Sequence, residues 1–204
     1  SLIRQNRSFR GLLGAQFFGA FNDNLFKALI LLMAARILFP GQDKQALATI
    51  TFAFPFVLFS GIAGDLSERF SKRSIIVRMR VAEIFIMAAG LVALQTRSWS
   101  LLLGVLFVMG TQSAFFGPSK YGVIPEIVPT ERLLRANGLI AMTTFMGVLL
   151  GTALAGYLLD QFLDTLWITG GICMVLAVVG TLLARTMDPL EPTQPDLPIP
   201  KSPF

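Results

Sequence analysis

Gln16-Phe-Phe-Gly-Ala-Phe-Asn-Asp-Asn-Leu-Phe-Lys27 decides how the rest of the chain is read. The stretch lies inside an apolar run from about Gly11 to Phe39-Pro40. That run is long enough to cross a bilayer, for which about 20 apolar residues suffice. Asn22, Asp23, Asn24 and Lys27 nevertheless sit well within its boundaries. An ionisable group at that depth costs about 2.5–3.5 kcal/mol on insertion scales, so it needs a protein interior or a water-filled cavity. At about 100° per residue, Gln16, Ala20, Asp23 and Lys27 share one face, with the acid and the amine four residues apart and able to pair. Asp23 lies about 12 residues, hence about 18 Å, from the inner boundary, near mid-membrane. The helix therefore carries a polar stripe that must face other helices or a pathway. Asn22 and Asn24 point about 100° to either side of Asp23, so the three cannot all meet one ligand, and at least one asparagine serves as glue between helices.

Composition agrees with a membrane setting. The chain has 204 residues, 54% of them hydrophobic and 14% charged, with a mean hydropathy of +0.68. A soluble domain of this size could not hide so much apolar surface. There is no histidine and a single cysteine, Cys173, within an apolar run. Disulfides within the chain, histidine-based acid–base catalysis and Cys–His dyads are excluded, and no metal or cofactor site is expected. The net charge of +5 does not point to nucleic acid, because the basic residues stand between apolar runs and act as topology signals. No short apolar core with a cleavage site follows Ser1, so no removable signal peptide is expected.

Six spans follow: about 11–39, 46–66 (with Pro55 inside), 74–95, 99–122, 134–159 and 165–185. The N-terminus, the second and fourth connections and the end of the sixth span hold Arg4, Arg7, Arg10, Arg69, Lys72, Arg73, Arg78, Arg80, Arg132, Arg135 and Arg185, whereas Lys44 and Arg97 mark the opposite loops. This bias predicts that both termini are cytoplasmic. The expected organisation is a six-helix transmembrane domain over residues 1–187 and a Pro-rich cytoplasmic linker over 188–204. A chain that ends in a linker reads as half of something longer. Gly19-Ala20-Phe21 before the Asn22–Lys27 segment, and Ser113-Ala114-Phe115 before Gly117-Pro118-Ser119-Lys120, are a short parallel between the two three-helix units. Polar or broken segments at matching places are the mark of inverted repeats in a transporter.

Asp23 is the strongest candidate for chemistry. Glu83, about two turns into the third span, is either an ion or proton site, and so a coupling candidate, or the partner of a basic residue. Lys120 either snorkels at the inner interface or is turned inward by Pro118. Gln16, Gln112 and Ser119 are candidates for a polar cavity wall, and Arg36 reads as snorkelling. Gly147, Gly151 and Ala155 recur every four residues, the small-residue spacing that lets membrane helices approach closely.

These features resemble the N-terminal half of a major facilitator superfamily transporter. Gly61-Ile-Ala-Gly-Asp65 with Arg69-Phe-Ser-Lys72-Arg73 is similar to the loop signature of that superfamily. The spacing differs by about three residues, and Ser71 stands where glycine is usual. The resemblance implies a gating role for Asp65, Arg69, Lys72 and Arg73. The fifth span lacks the Gly-Pro pair of the antiporter signature. Within the superfamily, Gln16 to Asn24, Gly117-Pro-Ser-Lys-Tyr-Gly122 and Arg135-Ala-Asn-Gly-Leu139 resemble bacterial lysophospholipid transporters of the LplT type, including the form fused to acyltransferase and acyl-carrier-protein ligase domains. The resemblance implies an inner-membrane protein that flips lysophospholipid from the outer to the inner leaflet for reacylation. It also implies a missing six-helix half and a possible fused or associated acyltransferase/ligase; such enzyme chemistry would lie outside this chain. Asp23 would meet an ammonium and Lys27 or Lys120 a phosphate, with Asn22, Asn24, Gln16 and Gln112 completing the substrate site. A transporter of another small solute and a non-transporting membrane anchor are the competing readings.

Overall fold

The computed structural model describes residues 6–192, and among them it contains helices and no strand. Six of the helices are long: α1 (Arg7–Met33), α2 (Gln45–Arg69), α3 (Lys72–Thr96), α4 (Trp99–Gly122), α5 (Leu133–Phe162) and α6 (Leu166–Arg185). A wide π turn, Ala34–Leu38, prolongs α1. One helical turn at Ile124–Ile127 and a tighter one at Thr130–Arg132 link α4 to α5. The expected linker begins at the edge of the described chain; Arg4 and residues 193–204 lie outside it.

Local chemistry sets the helix ends. Asn6 Oδ1 accepts from the Phe9 amide at 2.8 Å and caps α1. Ser71 caps α3 by accepting from the Ser74 amide at 3.4 Å; such side-chain acceptors satisfy donors that the first turn leaves open. Arg97 ends α3 in the left-handed conformation, φ 51°, and its guanidinium donates to the Leu163 carbonyl at 2.9 Å. This contact ties the α3–α4 connection to the α5–α6 connection. Gly41, φ +78°, supplies the turn after α1.

Five helical segments are long and apolar enough to cross a membrane: Arg7–Leu38, Gln45–Arg69, Trp99–Gly122, Thr130–Phe162 and Leu166–Arg185. The helix not among them is α3, which carries Lys72, Arg73, Arg78, Arg80 and Glu83. Its apolar remainder is buried at Ile75, Ile76, Ile86, Met87, Ala93 and Leu94.

The most extensive interhelical pairings are α1 with α5, α2 with α4, α3 with α6, α3 with α4, and α1 with α6. One apolar core gathers around Leu25, Phe26, Leu29, Met87, Leu106 and Cys173, and a second around Phe9, Leu12, Ile76 and Ile140. The described ends of the chain meet at one end of the bundle: Ser8 Oγ donates to Asp188 Oδ2 at 2.6 Å, and the Asp188 amide donates back to Ser8 Oγ at 3.0 Å. At the other end, Arg36 pairs with Asp160 at 2.9 Å. Both partners are exposed, so this bond adds about 0–1 kcal/mol. Arg36, expected to snorkel, thus joins the π turn to α5.

Close approach explains the small-residue spacing on α5. Gly147, Gly151 and Ala155 are all buried. A Cβ added at Gly147 would lie 2.9 Å from the Phe21 amide nitrogen, and one at Gly151 would lie 3.0 Å from that of Leu25 and run into the Phe21 carbonyl oxygen. Backbone meets backbone here, so neither helix can yield by changing a rotamer. Gly151→Leu is therefore expected to destabilise the bundle by at least about 1–3 kcal/mol. Gly171→Leu, where added atoms meet open space, is expected to change little. Unfolding of the two variants in detergent, followed by heat or denaturant, checks this contrast.

Candidate functional site

The polar stripe of α1 faces a cavity of about 310 Å³ between α1, α2, α4 and α5, with one residue of α3 reaching its wall. α1 supplies Gln16, Ala20, Asp23, Asn24 and Lys27; α2 supplies Phe52 and Phe56; α3 supplies Arg80. From α4 come Ser113, Phe116, Gly117, Lys120 and Tyr121, and α5 adds Thr144. The helical wheel of α1 dictates its share: the residues spaced by three and four from Gln16 to Lys27 all reach the same space.

Each charged group there has a defined setting. Asp23 Oδ2 accepts from Ser113 Oγ at 2.7 Å, while its Oδ1 is buried without a hydrogen-bond partner. Lys27 does not pair with Asp23, as the four-residue spacing suggested it could; its Nζ stands 4.9 Å from the centroid of the Phe52 ring. Lys120 turns inward, with Nζ 4.5 Å from the Tyr121 centroid and 6.0 Å from that of Phe116. These cation–π contacts keep the amines against aromatic faces. Gln16 donates to Thr144 Oγ1 at 2.7 Å, linking α1 to α5. Asn24 bonds back to the Ala20 carbonyl at 2.7 Å.

Three expected wall residues are not at the wall. Asn22 is fully buried on the far side of α1 and donates to Glu83 Oε1 at 2.8 Å, so it is the asparagine that joins helices. Gln112 donates to the Met79 carbonyl at 3.1 Å and ties α4 to α3. Ser119 is buried outside the cavity. Each lies on the side of its helix that faces a neighbour, which a helix read alone cannot tell from the side that faces the cavity.

Glu83 takes the second of its two expected roles, the partner of a basic residue. Its Oε2 pairs with Arg80 and its Oε1 receives Asn22. Glu83 is 1% exposed and Arg80 3%. With both oxygens engaged and no place at the cavity wall, Glu83 has no geometric support as a coupling site. The residue that sequence reasoning missed is Arg80. In sequence it stands in the basic cluster with Lys72, Arg73 and Arg78, yet it is buried and stands 4.1 Å over the Phe116 ring. A signal existed: an acid three residues further along α3, at the spacing that brings the two side chains together.

The expected gating residues form part of a belt at the end of the bundle where Ser8 and Asp188 meet. Lys72 pairs with Glu126 at 2.9 Å and lies 3.6 Å from Glu68. Arg73 donates to the Met187 carbonyl at 3.2 Å. The α2–α3 corner is thereby bound to the turn after α4 and to the end of α6. Arg69 is half-buried and Asp65 is exposed.

Comparison with known proteins agrees with this architecture. Residues 12–203 match the family model described as Major Facilitator Superfamily, and the chain belongs to that superfamily. It is 29% identical over 175 residues to the "Lysophospholipid transporter LplT" of Photorhabdus laumondii subsp. laumondii, an alignment covering 85% of this chain and 42% of the relative. The protein of the same name from Yersinia enterocolitica is 28% identical over 177 residues, covering 87% of this chain and 41% of the relative. That of Yersinia pestis is 27% identical over 180 residues, covering 87% and 42%. The chain thus spans about two-fifths of the length of these curated relatives.

The Arg80–Glu83 pair should behave as a unit. Removing either charge alone leaves the other buried without compensation, at a cost of about 3–5 kcal/mol, whereas neutralising both is far cheaper. Arg80→Gln and Glu83→Gln are each expected to be strongly destabilised, and the double variant less so than the sum of the two. A double-mutant cycle on unfolding in detergent measures that difference.

Proposed function

We propose that this major facilitator chain is the N-terminal half of a transporter, not an enzyme, that moves lysophospholipid from the outer to the inner leaflet of the bacterial inner membrane for reacylation, by alternating access. The observation that carries the reading is the composition of the cavity wall. Asp23, Lys27, Lys120 and Arg80 stand among Phe52, Phe56, Phe116 and Tyr121. A lysolipid has a charged head and one apolar tail, so its path must offer both kinds of surface. The names of the relatives support the substrate class, and their length supports a second half that completes the passage.

Six spans follow if α3 crosses as well. Its Arg80 and Glu83 neutralise each other inside the bundle, which lowers the cost of inserting them. The packing supports two inverted repeats. Advancing each helix by three places turns the α1–α5 pair into α4–α2 and the α3–α4 pair into α6–α1, while α3–α6 maps onto itself. All five are the most extensive pairings of the bundle. Cytoplasmic termini are supported by the basic belt around Lys72 and Arg73 at the end where Ser8 and Asp188 meet. In this scheme the belt is part of the inner gate: exposed Asp65 and half-buried Arg69 face the second half, and Lys72 and Arg73 hold the corner that carries them.

In the cavity, Asp23 receives a head-group ammonium, and Lys120 or Lys27 a phosphate, through charge-assisted hydrogen bonds. Losing one such bond is worth about 1.5–3 kcal/mol, a tenfold effect or more. Asp23→Asn and Lys120→Ala are each expected to slow lysophosphatidylethanolamine flipping about tenfold in proteoliposomes of the full-length transporter. Parallel uptake of polar solutes separates this reading from a small-solute transporter. Parental rates in both variants at normal insertion would remove the two assignments, and no lysolipid movement by the parent would remove the function.

A further inference from the structure

We propose that Arg80 is a fixed receptor for a phosphodiester oxyanion in the cavity, and that Glu83 and Asn22 are positioning residues that aim it. The anion half of this proposal stands by itself; the single acyl tail attached to that anion rests on the lysolipid reading above.

Four observations converge on the guanidinium. Arg80 lines the cavity although it is only 3% exposed, so a largely buried cation borders that space. Among the described residues its only hydrogen-bond partner is Glu83, through Nη1, and its Nε is buried with none. A guanidinium has five N–H donors in a planar fork that matches phosphate geometry, and buried polar groups of this kind are almost always satisfied. The Nε is sealed inside the bundle, whereas Nη2, also without a hydrogen-bond partner, keeps accessible surface and is the donor for which a bound oxyanion supplies the acceptor. The fork is also held in place. One face lies 4.1 Å over Phe116, and Gly19 leaves the slot on α1 that the guanidinium fills, since any Cβ there would collide with it. Glu83 is itself fixed by Asn22 at 2.8 Å, and the Thr181 hydroxyl donates to the Arg80 carbonyl at 2.8 Å, anchoring the backbone to α6.

Charge bookkeeping points the same way. Lys27, Arg80 and Lys120 line the cavity against Asp23 alone. Counting Glu83 behind Arg80, the group still carries one formal positive charge in excess. A phosphodiester monoanion cancels that excess. Lys120 lies over the same Phe116 ring as Arg80, 6.0 Å from its centroid, so two cations converge on the region that the anion would occupy. A pair that served the fold alone would need neither a place on the cavity wall nor open donors.

The test uses equilibrium binding to the full-length transporter in detergent, with three single-tailed probes of equal chain length. Lysophosphatidylethanolamine and lysophosphatidylglycerol carry the phosphodiester; monoacylglycerol does not. The parent is expected to bind both phosphate-bearing lipids about tenfold or more tighter than monoacylglycerol. The double variant Arg80→Gln/Glu83→Gln, chosen because it leaves no lone buried charge, is expected to bring that ratio close to one while monoacylglycerol affinity holds. Asn22→Leu keeps both charges but frees Glu83, and is expected to lower the ratio partway. Phe116→Leu, which keeps all charges and an apolar wall, is expected to do the same if any variant at Arg80 folds poorly. An unchanged ratio in the double variant and in Phe116→Leu, or a parent with no preference for phosphate, overturns the proposal. A parent that prefers phosphate through Arg80 yet flips no lysolipid upholds the anion receptor and refutes the transport reading. A parent that flips lysolipid with a ratio indifferent to Arg80 does the reverse.

Discussion

The cost of leaving a charge or an amide unsatisfied in an apolar medium governs how α1 is set in this bundle. Asn22, Asp23 and Asn24 point to successive faces of one helix, with Lys27 on the face of Asp23, so no single rotation could turn them all to one environment. The bundle answers each separately. Asn22 finds Glu83 on α3, Asp23 finds Ser113 on α4, Asn24 folds back on its own backbone, and Lys27 rests on Phe52 of α2. Together these demands require helices on several sides of α1. The remaining side is taken by α5, which comes close enough for glycine backbone to touch. The central place of α1 is thus a consequence of its polar residues as much as of its apolar ones.

Much of this was legible in the sequence, and for physical reasons. Helix limits followed from hydropathy and from the polar connections between apolar runs, so the six expected spans agree with the six long helices to within a few residues, although only five meet the length and apolarity needed to cross. The cavity face of α1 followed from helical periodicity alone, because Gln16, Asp23 and Lys27 share an arc wherever the helix is placed. The α5 stripe followed from the volume of glycine. What could not be read was which neighbour each polar face would meet. Gln112 and Ser119 share α4 with Ser113 and Lys120, and only tertiary packing, that of α3 in the case of Gln112, decides that the first two are hidden. Arg80 was obscured differently: a cation near three others looks like part of a topology signal until its depth in the bundle is known.

The exposed apolar residues have a further consequence. Phe54 and Val57 on α2, and Phe145 and Leu149 on α5, are well exposed, and α2 and α5 are the least buried of the candidate spans. These same two helices flank the cavity. The α3 and α6 faces, by contrast, pack against each other and against α4 and α1. Under the two-repeat reading α2 and α5 are equivalent positions. Their bare apolar faces are therefore matching surfaces, open to lipid or to a further layer of helices.

The buried triad of Asn22, Glu83 and Arg80 also separates two jobs that a single acidic residue might otherwise combine. A carboxylate that moves protons or ions must change partners during the cycle. Glu83 cannot readily do so, because releasing Arg80 would leave two opposite charges uncompensated in a low-dielectric interior, a penalty of several kcal/mol. Asp23 has the contrary setting: one oxygen is held by a serine hydroxyl and the other lacks a partner. Lys27 and Lys120 are flexible stems resting on aromatic rings. A rigid cation thus stands opposite groups that can reorient at little cost. Under the proposed function that division suits a site which grips a charged head group in one state and releases it in another: the fixed guanidinium would set where the anion sits, and the movable acid and amines would respond to its arrival.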